Sequence, residues 1–148
     1  MHTTWTDRGL LMLRFALGLV FVMHGWQKVT TGHAGVTGFL TQLGVPLPEV
    51  SAALLIAVEL GGGIALLLGV LTRVAAALIA FNMLVAISLV HLSAGFFLPN
   101  GYEFALTLML ASLALTMTGA GAYSIDRLVT RTRWAPAAAP ERTERRAA

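Results

Sequence analysis

The sequence predicts an all-α integral membrane protein folded as a four-helix bundle, and three observations carry that prediction. Of 148 residues, 57% are hydrophobic and 11% are charged, too few charges to solvate a globule and too many apolar residues for a disordered chain. Apolar runs of spanning length recur along the chain, separated by short connections rich in Gly, Pro and Thr. Basic residues gather at the two ends and in one tight turn, as expected where the same side of a membrane is met three times.

The elements follow in order. Residues 1–9 form a short polar N-terminal segment with Asp7 and Arg8. The first span is expected over 10–29. Its Arg14, and the run His24, Gln27 and Lys28 at its end in place of small residues, argue against a cleaved signal peptide and for a retained helix. On a helix, Arg14, His24 and Lys28 share a face about 80° wide, the width of a buried polar stripe. Residues 30–49 are the longest connection, closed by Pro46 and Pro48, which stop one helix and start another. Within it, 36–43 with Gly44 behind reads as a short amphipathic helix at the membrane interface. The second span covers 50–71. Thr72 and Arg73 make a tight turn into the third, 74–92, which carries Asn82, Ser88 and His91. A Gly, Phe and Pro turn leads to the fourth, 103–118, barely long enough to cross. Residues 124–148 are a basic, largely disordered tail, dispensable for the bundle after Trp134.

The basic bias sets the orientation. Arg8, Arg73, Arg127, Arg131, Arg133, Arg142, Arg145 and Arg146 lie in the start, the tight turn and the tail, and Lys28 alone lies opposite. Both termini are therefore expected in the cytoplasm. An anionic inner leaflet accounts for the isoelectric point of about 10.2 without nucleic acid as a partner. The absence of cysteine removes disulfides, thiolate nucleophiles and dithiol relays, so a redox role needs a bound cofactor or a partner subunit.

Glu59 is the residue around which a functional reading turns. It sits about 13 Å into a hydrocarbon core of about 30 Å, above the small patch of Gly62 and Gly63, where another helix approaches closely. An unpaired ionised acid at that depth costs several kcal/mol, so a cation from the first helix, Arg14, His24 or Lys28, is expected as its partner. With the termini inside, His24, Lys28, His91 and Glu103 join Glu59 in the outer half. His and carboxylate groups there suit proton handling, with Glu59, His24 and His91 as candidate catalytic or ligand residues and Arg14, Lys28, Glu103 and Trp26 as candidate binding residues. A structural clasp at Glu59, loop contacts for the histidines and an aromatic belt containing Trp26 stand beside that reading. Asn82 lies about 180° from His91 around the third helix and does not line the same site. No ligand spacing supports a metal.

The chain resembles the DoxX family of small four-helix bacterial membrane proteins. The resemblance spans about residues 14–126 and rests on His24-Gly-Trp-Gln-Lys28, Gly38-Phe39 with Gly44-Val-Pro46, and Glu59-Leu-Gly-Gly62 with Gly69 and Thr72-Arg73. It continues through Met83, Ala86 and His91, then Gly101-Tyr-Glu103 and Tyr123-Ser-Ile-Asp126. It implies a multi-pass inner (plasma) membrane protein linked to quinone-associated oxidoreductases and oxidative-stress chemistry, with a quinone as the conceivable cofactor and soluble redox enzymes as partners. A non-enzymatic scaffold, a small transporter or channel, and a homo-oligomer are the alternatives.

Overall fold

A computed structural model describes residues 4–133 and, among them, only helices. The first, α1, runs over Trp5–Thr31. It begins before the expected residue 10 because Thr4 and Asp7 form a capping box: the Thr4 hydroxyl accepts from the Asp7 amide at 3.3 Å, and the Asp7 carboxylate accepts from the Thr4 amide at 3.0 Å. Gly32, at φ 85°, ends the helix and donates to the Lys28 and Val29 carbonyls.

The short helix α2, His33–Gln42, lies where the sequence places an interfacial helix, and it buries Val36 and Leu40 against Ala52. The next helix, α3, spans Pro48–Leu68, with proline in its first turn. After the turn at Gly69, α4 spans Thr72–Ala94 and α5 spans Glu103–Thr118. At about 24 Å, α5 is the shortest of the four long helices. The expectation of a largely disordered tail from residue 124 is corrected in part: Ile125–Arg133 form a helix, α6, and the rest of that tail lies outside the described residues.

Three helices, α1, α3 and α4, are long and apolar enough to cross a membrane, and α5 is a shorter apolar helix beside them. Each of the three buries only 22–28% of its most apolar window inside the protein. Residues such as Phe15, Leu54, Leu78 and Phe81 therefore form an outward apolar coat, which suits a hydrocarbon solvent and no other.

Glycine lets α1 and α3 meet. A Cβ at Gly25 would stand 2.5 Å from the Leu60 amide nitrogen, and one at Gly63 would stand 2.7 Å from that of Val22. Only the missing side chains permit this backbone contact. Leu17, Phe21, Leu66, Ile79 and Leu115, each 2% exposed or less, fill the interior among the four long helices.

One end of the bundle gathers both ends of the described chain. The Ala122 amide donates to Asp7 at 2.9 Å, and the Arg14 guanidinium donates to the Tyr123 carbonyl. Asp126 accepts from the Leu71 and Thr72 amides at 2.7 and 2.9 Å, capping α4 from a distant part of the sequence. That contact also holds Leu71 at φ 46°, a left-handed conformation that a leucine rarely adopts.

Candidate functional site

The close approach of Gly25 to Leu60 fixes the position of the next turn of α1. There the Lys28 Nζ lies 2.6 Å from Glu59 Oε2. The second carboxylate oxygen, Oε1, accepts from the Asn82 amide of α4 at 3.3 Å. Three helices thus meet at one carboxylate, which is 4% exposed. Glu59 sits in a π-helical turn, Ala57–Gly61, inside α3. Such turns insert a residue into the helical repeat and recur at functional sites.

The pair answers the cost of burying either charge. Each ion alone loses several kcal/mol of hydration, and their attraction offsets that loss only with short, saturated geometry. Both oxygens of Glu59 are engaged, and Lys28 retains partial exposure. Of the three cations expected near Glu59, the structure selects Lys28.

The other candidate residues lie elsewhere. Arg14 is about 21 Å from Lys28 along α1, at the end of the bundle that gathers both ends of the described chain. It is 1% exposed and packed against Gly69, and among the described residues only one of its guanidinium nitrogens has a hydrogen-bond partner, the Tyr123 carbonyl. His91 lies in a second π-helical turn, Ile87–His91, and its Nδ1 is 3.0 Å from the Asn100 carbonyl. The Glu103 carboxylate accepts from the Leu98 amide at 2.8 Å. Those two residues therefore hold the 95–102 loop, where Phe96 meets Phe97 and Tyr102 edge to face.

His24 and Trp26 face outward. With Met23, Gln27 and Thr30 they line an open groove of about 410 Å³ on the flank of α1, one turn from Lys28. Among the described residues the His24 and Gln27 side chains have no hydrogen-bond partner, and no three His, Cys, Asp or Glu side chains gather as metal ligands.

Asn82 is the site residue that sequence reasoning missed. The available signal is its place on α4, three residues after Ile79 and one before Met83, both of which face the core. Around an ideal helix Asn82 faces away from His91, but across the bundle it meets Glu59.

Comparison with known proteins agrees with this architecture. The DoxX family profile matches residues 9–92. The chain is 38% identical over 132 residues to the inner membrane protein YqjF of Escherichia coli (strain K12), covering 83% of this chain and 93% of that protein. It is 35% identical over 121 residues to a Bacillus subtilis (strain 168) protein bearing the name "Putative oxidoreductase CatD", covering 82% and 87%. It is also 32% identical over 124 residues to the E. coli inner membrane protein YphA, covering 80% and 88%. No solved structure matches the chain. A match over more than half the chain, relatives covered almost end to end and four apolar helices in one bundle together identify the chain as a multi-pass inner membrane protein of the DoxX family.

Proposed function

We propose that this protein is the small membrane subunit of a quinone-linked redox system, with both termini in the cytoplasm and soluble redox enzymes as its partners. The observation that carries the reading is the Lys28–Glu59 pair at 2.6 Å, completed by Asn82 and buried in the half of the bundle away from the termini. A carboxylate at such depth, paired with an amine that keeps some exposure, is equipped to exchange a proton with a group arriving from one side. The name of the B. subtilis relative supports an oxidoreductase setting.

The reading puts a quinone on the outer flank of α1 and not beside Glu59. Around Glu59 both carboxylate oxygens are engaged and Leu17, Phe21 and Ile79 fill the interior, so no headgroup enters there. On the open flank of α1 the exposed His24 and Gln27 side chains offer donors and Trp26 an apolar ring, and this surface would hold a headgroup. A quinone supplies two-electron, two-proton redox chemistry when bound. His24 would orient the headgroup, and Lys28, one turn along, would pass a proton between it and Glu59.

Replacing Glu59 tests this. Glu59→Gln keeps shape and hydrogen bonding without the charge, and the redox reading expects it to fold and to lose function in complementation under oxidative or thiol stress. Full complementation by a stably folded Gln variant removes Glu59 from the mechanism.

A second reading, a scaffold that anchors soluble partners, draws on the saturation of the same pair: a carboxylate with every oxygen engaged is also what a structural clasp looks like. A transporter fits less well, because Leu17 and Phe21 occupy the interior between Arg14 and Lys28 and interrupt a polar path.

A further inference from the structure

We propose that α6 is a docking element for anionic phospholipid, lying in the headgroup region of the leaflet at the end of the bundle that holds the termini. The inference is independent of the redox reading and starts from an amphipathic pattern. Within Ile125–Arg133, Ile125, Leu128 and Val129 fall at i, i+3 and i+4, on one stripe of the helix. All three are open to the surroundings, at 39%, 60% and 43% exposure. The bundle does not cover that stripe. With nine residues and three apolar side chains, α6 is too short to cross a bilayer, and its composition is that of a helix lying in the interface.

The height of α6 is fixed by the bundle. The Asp126 carboxylate caps α4, its amide donates to the Gly69 carbonyl at 2.9 Å, and Arg14 holds the Tyr123 carbonyl just ahead of it. The first turn of α6 is therefore level with the ends of α3 and α4, where apolar spans give way to headgroups. A stripe of apolar residues at that level meets the boundary between acyl chains and headgroups.

Charge names the lipid. The helix carries Arg127, Arg131 and Arg133 against one acid, Asp126, which caps α4, and the charge of Arg127 is also felt by Asp7 at the start of α1. Arg73 lies beside Gly119 at the same end, and Arg8 lies over the ring of Trp5, itself 83% exposed, at the start of α1. This concentration of arginines in the sequence of α6 and at the adjoining ends of α1 and α4, with an outward tryptophan, matches a surface of phosphodiester anions, whereas a zwitterionic surface offers it little.

The absence of cysteine makes the test direct. Nitroxide labels at Leu128→Cys, Val129→Cys and Thr130→Cys of the full chain, in nanodiscs of phosphatidylcholine alone or mixed three to one with phosphatidylglycerol, report depth through collision with oxygen or with a soluble nickel chelate. The mixed bilayer is expected to make the labels at 128 and 129 oxygen-accessible and nickel-shielded, severalfold more than the label at 130. Replacing Arg127, Arg131 and Arg133 together by Gln is expected to weaken the phosphatidylglycerol dependence about a hundredfold. Nickel access at 128 and 129 that is equal to that at 130 in both bilayers overturns the proposal. So does equal shielding in both bilayers, which removes the anionic requirement, or shielding of 128 and 129 from both reagents, which marks burial against protein.

Discussion

Gly25 of α1 lies directly against the backbone of Leu60 in α3, with no space for even a methyl group, and this contact brings Lys28 to the carboxylate of Glu59. The polar pair is thus a product of close backbone packing. An α1 displaced by the width of a side chain would leave the lysine short of its partner.

Gly25→Ala is therefore expected to destabilise the bundle by about 1–3 kcal/mol, the usual cost of overpacking. Gly61→Ala is the matched control, because a Cβ there meets nothing within 4 Å. Melting curves in the same detergent should show a lowered midpoint for the first and an unchanged one for the second. Equal behaviour of the two contradicts the contact.

Lys28→Met leaves Glu59 buried beside Asn82 alone and is expected to cost about 3–5 kcal/mol. Removing both charges, as Lys28→Met with Glu59→Leu, is expected to recover most of that loss or exceed it. A double-mutant cycle on chemical or thermal unfolding measures the coupling, and an additive cycle speaks against the pair. Asn82→Ala, which deletes the longer 3.3 Å contact, should cost about 1 kcal/mol.

Asp126 serves as a cap for a helix more than fifty residues away in sequence. Asp126→Ala is expected to cost about 1 kcal/mol, and Asp126→Asn, which keeps one of the two accepting oxygens, somewhat less. Hydrogen exchange at residues 71–74 reads the effect locally, and unchanged protection in the Ala variant excludes the cap.

Orientation is open to a direct check. A reporter active only in the periplasm, fused after Arg133, is expected to be silent, and the same reporter in the 95–102 loop is expected to be active. Activity after Arg133 reverses the assignment of the termini to the cytoplasm.

Much of this architecture was legible in the sequence because a bilayer imposes a length on each apolar run. The spans, the short helix before Pro46 and the need for a cation near Glu59 all follow from lengths and charges. The convergence of polar residues was less legible. His24, Lys28, His91 and Glu103 share a depth, and depth alone does not say which way a side chain faces. His91 turns to the Asn100 carbonyl and Glu103 to the Leu98 amide, contacts within one loop whose path no periodicity specifies. The π-helical turns at Glu59 and His91 add a further uncertainty, since each rotates the residues beyond it away from the ideal repeat used to assign faces. The helix at Ile125 escaped notice because its arginines read as tail composition, while its hold on the bundle passes through Asp126 and residues far away in sequence.

The ties of Arg14 to Tyr123 and of Asp7 to Ala122 also constrain the order of assembly. A chain emerging from the ribosome can pair α1 with α3, and Lys28 with Glu59, once half of it has been made. Arg14 must wait until residue 123, a separation of 109, before its carbonyl acceptor exists. Until Tyr123 arrives, the nascent protein holds a guanidinium at the membrane with no acceptor of its own, a visible mark of incompleteness to any protease or chaperone that surveys the inner membrane. Closure of residues 122–126 onto the start of α1 thus makes the arrival of Tyr123 a condition of a finished bundle.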